Sequence, residues 1–405
     1  ENCSREKNTQ RGNLCEKGRR MLVSQLAKRI SSKVLGEKTS FIRNFASLQI
    51  PGLDLGHDKD YIVFPKEREG LEYKLNWSLA DDGITPTGDA YGNIKLTTLK
   101  KKLGLKVGDS TLETSLTATS SKFQEAGNSV SFEEFDVKKA SVTEYLSSGV
   151  DLFVEDGAAG SFRGSTVGVR VVTDDPIFAM VSKNLLMPIP KKLQAKSQPI
   201  TVLVSTKCEA SMEAVAFDES EDGELVGATI VLSNSMNLSA FTSLLSHAAS
   251  VVLDENEDLL PLPAAAVTKD SSAGLLVGSS PSLLGQLYGE GALYSAHSSI
   301  WAPSGISALL NGAVLPSGAV GGNGVDVKAG EVTCISNPAM NLVAPPKAVL
   351  FAGGSQAELG AEEAGKLLAE AGAEEPTVEK FKAKVEATGT KCLRVSSVAD
   401  VLSAV

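Results

Sequence analysis

Two adjacent carboxylates, Glu155 and Asp156, are the side chains whose types and spacing come closest to acid–base chemistry in this chain. Such a pair can divide proton donation from proton acceptance when its two environments push the acidities apart. The other reactive side chains are scattered. His57, His247 and His297 lie far apart, and Cys208, Cys334 and Cys392 have no partner at metal-ligand spacing. Neither a metal set nor a Ser/His/Asp or Cys/His nucleophilic set is readable, and the cysteines are expected as free thiols in a reducing compartment. No arginine occurs between Val171 and Leu393. Arginine is the planar clamp for carboxylates and phosphates, so an enzyme acting on such anions would be unusual without one over so long a stretch. Between Ser271 and Val325 the single acidic or basic residue, apart from His297, is Glu290. Burial penalises an unpaired charge heavily, whereas an open cleft does not. This segment is therefore expected to be covered, either by a partner subunit or by the chain itself. Leu283, Leu287 and Trp301 are the residues on which the two versions differ.

The elements that must position these groups follow from local pattern. Val150 to Val154 is apolar except for Asp151 and predicts a strand. A Gly-rich turn follows, then the β-branched run Val167–Thr173 as a second strand. Pro176 to Met187 predicts a helix, with Asp174 or Asp175 as its cap and Ile177, Met180, Val181 and Asn184 on one face. Further strands are expected at Leu71–Leu79, Ile200–Ser205, Val226–Leu232 and Pro346–Phe351. Helices are expected at Val142–Leu146, Met236–Ser250, Ala361–Ala373 and Val378–Ala387, and Val395–Val405 is apolar enough to dock as a terminal element. Pro190–Gln198 reads as a basic linker and Glu209–Glu224 as an acidic, solvated loop. Composition shifts after Leu260, which divides the chain into an arm at 46–70 and domains at 71–260 and 261–405. No apolar run reaches the ~18 residues of a membrane helix, and 42% apolar with 22% charged residues argues against wholesale disorder.

The stretch from Leu152 to Asn184 resembles the ATP-dependent phosphoenolpyruvate carboxykinase family, which reads LFVVDA-x-x-G, then VR-x-x-T, then VKN. The matching residues are Leu152, Phe153, Val154, Asp156, Gly160, Val169, Arg170, Thr173, Lys183 and Asn184. The resemblance implies an α/β fold with a mixed-sheet N-terminal domain and a reduced C-terminal, nucleotide-domain-like lobe. It also implies that Asp156 is structural. The family's chemistry is not carried over. Asp89 stands where the family has a substrate-binding arginine, and is more simply a turn residue. The phosphate loop falls on Leu275 to Leu283, keeping Gly278 but no Lys-Thr pair. The metal carboxylates fall on Ala296 and His297, beside a retained Trp301.

The first 45 residues read differently. Met21 to Phe45 is basic and Ser-containing, with apolar residues at helical spacing and Glu37 as its only acid, which is presequence character. Arg43 before Phe45 and Ala46 resembles a matrix-processing site, with cleavage expected between Phe45 and Ala46. Residues 1–20 read as translated leader. Residues 1–45 hold 11 of the 39 basic and 4 of the 49 acidic residues, so the remainder carries 28 and 45, a net of −17. Such a chain repels nucleic acid and anionic surfaces. The expectation is a non-catalytic subunit of a mitochondrial multiprotein assembly, either a respiratory-chain complex or ATP synthase. It would sit in the matrix or on the matrix face of the inner membrane, with protein subunits as partners, no cofactor and no membrane span of its own. The competing expectation is a residual enzyme or nucleotide sensor of the matrix.

Overall fold

The computed structural model describes residues 78–102, 111–112, 131–161, 164–194, 196, 198–220, 223–234, 238–316, 325–327, 332–336 and 342–405. They all fall within one structural unit, Glu67–Val405, of mixed α/β type.

The first half runs β1 (Ala90–Gly92), α1 (Leu96–Lys102), β2 (Thr111–Leu112), α2 (Phe132–Ser147), β3 (Leu152–Ala159), β4 (Val167–Thr173), α3 (Pro176–Leu185), β5 (Met187–Pro188), β6 (Ile200–Ser205), β7 (Met212–Glu219), β8 (Leu225–Ser233) and α4 (Leu238–Asp254). Seven strands form a mixed sheet in the order β1-β3-β4-β6-β8-β7, with β5 pairing beside β3. The central strands are apolar on both sides because both faces are covered. One face packs Phe135, Val142 and Leu146 of α2 over Leu152, Val154 and Leu203. The other packs α1, α3 and α4 over Phe153, Val169, Val171 and Val202. Asp175 caps α3 by accepting the Ile177 N–H at 2.7 Å, and Pro176 opens the helix where its missing N–H costs nothing. Six of the ten α3 residues are buried apolar side chains, and all of them but Ala179 are worth ~1.5–3 kcal/mol each when fully buried.

The second half runs β9 (Leu260–Leu262), β10 (Ala264–Lys269), β11 (Ser272–Val277), α5 (Pro281–Gly289), β12 (Leu293–Ser295), β13 (Ser299–Ala302), β14 (Gly305–Ala308), β15 (Gly312–Pro316), β16 (Val325–Val327), β17 (Val332–Ser336), β18 (Pro346–Ala352), β19 (Ala357–Leu359), α6 (Ala361–Glu370), α7 (Glu375–Thr388), β20 (Lys391–Val395) and α8 (Val398–Ala404). A six-stranded sheet has the order β12-β10-β11-β18-β20-β19. Its faces are covered by α6 and α7 on one side and by α5 and α8 on the other. Smaller sheets are β14-β13-β9 and β15-β17-β16-β2. The halves share a core, because Ile300, Ala302, Leu309 and Leu310 pack with the side chains of α3 and α4. The Gly160 N–H donates to Leu309 O at 2.6 Å and the Asn311 N–H to Leu185 O at 2.7 Å. Among the described residues no helix is long and apolar enough to cross a membrane.

Several elements depart from the sequence expectation. Ser78–Asp81 is a helical turn rather than the end of a strand, closed by the Ile84 N–H on Leu79 O with both side chains buried; residues 71–77 lie outside the described residues. The short helix at Val142–Leu146 is one end of the 16-residue α2, whose outer face is polar and so hides its period. Ser131 starts it by accepting the Glu134 N–H. The Gly-rich turn after Val154 is shorter, since Gly157 to Ala159 continue β3. It turns at Gly160, where φ is +84° and an added Cβ would lie 1.8 Å from Ser165 O, so only glycine fits. The acidic loop at Glu209–Glu224 is largely a strand. Met212 to Phe217 alternate and pair antiparallel with β8 as β7, leaving Glu213, Asp218 and Glu219 exposed.

Candidate functional site

Successive residues on a strand point to opposite faces, and this decides the fate of the acidic pair on β3. Asp156 lies on the α2 face, directly across from Arg170 on β4. Glu155 lies on the α3 face. The two carboxyls cannot converge on one reacting atom.

Arg170 is fully buried. Its Nε donates to Asp156 Oδ1 at 2.8 Å and one Nη2 hydrogen to Asp156 Oδ2 at 3.1 Å, a bidentate pair. The other Nη2 hydrogen reaches Lys196 O at 2.7 Å. Nη1 donates to Ser78 Oγ and, at 3.4 Å, to Asp82 Oδ2. A guanidinium has five N–H donors, and all five are engaged by the protein itself. Burial pushes the Asp82 carboxyl up, against the pull of Arg170. The Asp156 backbone N–H is held at 3.1 Å by Asn93 Oδ1, from a residue at φ +48° just past β1.

Glu155 is also buried, at 3% exposure, with Lys183 of α3 donating to Oε2 at 2.7 Å. Its other oxygen, Oε1, has no hydrogen-bond partner. Burial dominates and pushes the carboxyl up to about 7, with Lys183 opposing. Glu155 therefore exchanges a proton near neutrality.

The low-charge segment forms β11, α5 and the strands that follow. Gly278 turns at φ +68° between β11 and α5, and Ser280 caps the helix by accepting the Leu283 N–H at 3.3 Å. The Leu284 N–H bonds back to Ser280 O, and Pro281 has no N–H. Of the four N–H groups that this helix start could offer an anion, Pro281 lacks its own and that of Leu283 is engaged. Leu283 is partly buried against α8, and Leu287 is fully buried in the same cluster. Trp301, 2% exposed, packs beneath α6 and α7. Lys384 of α7 lies over its ring at 5.3 Å and donates to its carbonyl at 2.6 Å; burial pulls this ammonium down. Burial likewise pulls His297 down to about 4, which keeps the imidazole neutral at neutral pH.

Asp89 precedes β1. Its carbonyl accepts the Leu152 N–H at 2.7 Å and its carboxylate the Tyr91 hydroxyl at 2.9 Å. Lys102 stands over the Tyr91 ring at 3.8 Å. His247 of α4 makes an edge contact with Phe217 of β7. Cys208 and Cys392 are buried free thiols, with Cys392 pushed up to about 11 by burial. Phe45 and Ala46 lie outside the described residues. Among the described residues no group of three His, Cys, Asp or Glu side chains is placed to hold a metal.

The structure thus joins Asp156 to Arg170 and leaves Asp89, Gly278 and His297 in separate places. Sequence reading overlooked Ser78, Asp82 and the Glu155–Lys183 pair. A buried acid at an otherwise apolar strand position, with a lysine seven residues into the next helix, was the available signal for the last. No known family's sequence pattern matches the chain, and no curated protein matches it.

Proposed function

We propose that the chain is a non-catalytic structural subunit of a mitochondrial multiprotein assembly, a respiratory-chain complex or ATP synthase, built on a degenerate carboxykinase-like fold. The observation that carries this reading is that the groups an anion-handling enzyme must keep free are consumed by the fold. Phosphoryl transfer needs positioned cations and open backbone donors. The guanidinium of Arg170 spends all five donors on Ser78, Asp82, Asp156 and Lys196. The helix that follows the Gly278 turn is capped by its own Ser280 and opened by Pro281. The step from β11 through Gly278 to α5 supports likeness to a nucleotide-domain lobe. The basic, acid-poor segment Met21–Phe45 supports mitochondrial import.

The test is native fractionation of mitochondria carrying a tagged copy. The expected result is a stoichiometric large complex, with the tagged chain beginning at or near Ala46. A chain that fractionates alone, or that starts before Met21, overturns the reading.

A further inference from the structure

We propose that Lys191, Lys192 and Lys196, in the loop between β5 and β6, dock an acidic segment of a partner protein. The inference rests on the assembled-subunit reading and names a surface through which assembly occurs.

The chain segregates its charge here. From Pro176 to Cys208 there are five lysines and no Asp or Glu, within a remainder of 28 basic and 45 acidic residues. Three of the five stand in this loop and are exposed. Lysines elsewhere pair with carboxylates, as Lys138 does with Glu134 and Lys382 with Glu362. Among the described residues Lys191, Lys192 and Lys196 pair with none. Between them Leu193 is 42% exposed, one of four large apolar side chains open to water among the described residues. The patch thus offers unpaired ammoniums around an apolar contact.

The loop is held in shape before any partner arrives. The Leu193 N–H donates to Pro190 O at 2.8 Å and closes a turn. Gln194 Nε2 donates to Ile189 O at 3.2 Å, and Gln198 Nε2 to Leu193 O at 2.9 Å. Beneath it the buried Arg170 donates to Lys196 O at 2.7 Å. None of these bonds uses a lysine ammonium. A loop shaped in advance loses less freedom on binding, and its charges stay available.

Charge selects the occupant. An acidic segment with an apolar residue among its carboxylates is complemented by three ammoniums around Leu193. An anionic membrane also attracts lysines. Three are few for that purpose, and the acidic bulk of the protein would be repelled by the same surface. A peptide segment meets the loop without bringing that bulk close.

The test is zero-length carbodiimide coupling in the native mitochondrial complex, which joins an ammonium to a carboxylate only where the two touch. Lys191, Lys192 or Lys196 is expected to be joined to Asp or Glu of a different protein. A variant carrying Lys191→Glu, Lys192→Glu and Lys196→Glu should keep the wild-type urea midpoint, because only the main chain of Lys196 is bonded to the fold, and should drop out of the complex. In solution the full-length wild type should bind a synthetic peptide of alternating Glu and Leu about tenfold more tightly than the variant does, with the difference shrinking as salt rises. The proposal is overturned if the three lysines couple to no carboxylate or only to those of this chain, or if the variant assembles like wild type. It is also overturned if phosphatidylglycerol vesicles, and not the peptide, distinguish wild type from variant. If the wild type itself runs alone, the assembled-subunit reading falls, and the peptide titration then decides whether the loop takes an acidic segment.

Discussion

Replacing Glu155 by glutamine should stabilise the protein at alkaline pH and leave it unchanged in acid. The carboxyl is pushed from 4.5 to about 7 because burial on the α3 face outweighs the Lys183 contact. Its folded value lies above its unfolded value, so the folded state holds the extra proton between these limits. The associated stability is complete below pH 4.5, is lost as pH rises toward 7, and stays lost above it. The interval spans about 2.5 pH units, and at 1.36 kcal/mol per unit amounts to about 3 kcal/mol. Glutamine has the shape of the protonated acid and does not titrate, and Lys183 is exposed enough to find water once its partner is gone. Urea unfolding from about pH 4.5 to about pH 8.5 should therefore give two curves. They coincide at the acid end, separate through the interval, and run parallel above neutrality with the variant about 3 kcal/mol more stable. Parallel curves throughout would refute the reasoning, since they would mean that the Lys183 contact fully offsets burial and Glu155 is ionised across the range.

Arg170→Met should cost about 3–5 kcal/mol in urea unfolding, because it strands the buried Asp156 and the largely enclosed Asp82; combining it with Asp156→Leu should recover much of the loss. Trp301→Asp should destabilise the isolated chain by more than about 3 kcal/mol, since Trp301 lies in the core beneath α6 and α7. A Trp301→Asp chain with wild-type thermal unfolding that failed only to assemble would place that residue at an interface instead.

The elements legible in the sequence are those whose local chemistry agrees with their surroundings. Val167–Thr173 and Ile200–Ser205 are β-branched runs at the sheet centre, and both strands occur at those bounds. Asp175 and Pro176 announce the start of α3 by cap and ring alone. What is not legible depends on partners outside the local stretch. Met212–Glu219 has the acids of a loop, and is a strand only because β8 folds back along it. Polar residues dominate Phe132–Ala140, where Phe135 alone is buried, so the helix is visible only near Val142 and Leu146. The site divides in the same way. Asp156 and Arg170 were marked by resemblance to a family. The acceptors that neutralise Arg170 arrive from Ser78, Asp82 and Lys196, up to 92 residues away, and no local pattern predicts that convergence. The separation of Glu155 from Asp156, by contrast, follows from strand period alone.

The two backbone bonds that tie Gly160 to Leu309 and Leu185 to Asn311 have a mechanical consequence. Two-lobed enzymes that close over a ligand move as hinged bodies, and their hinges are confined to a few residues that absorb the rotation. Here Ile300, Ala302, Leu309 and Leu310 are seated in the same apolar layer as α3 and α4. Any clamshell motion would have to break both backbone bonds and expose that layer to water. The halves are therefore joined by backbone bonds and a common apolar layer, and a load on the first sheet is passed through α4 into the three-stranded sheet β14-β13-β9 instead of being dissipated at a joint.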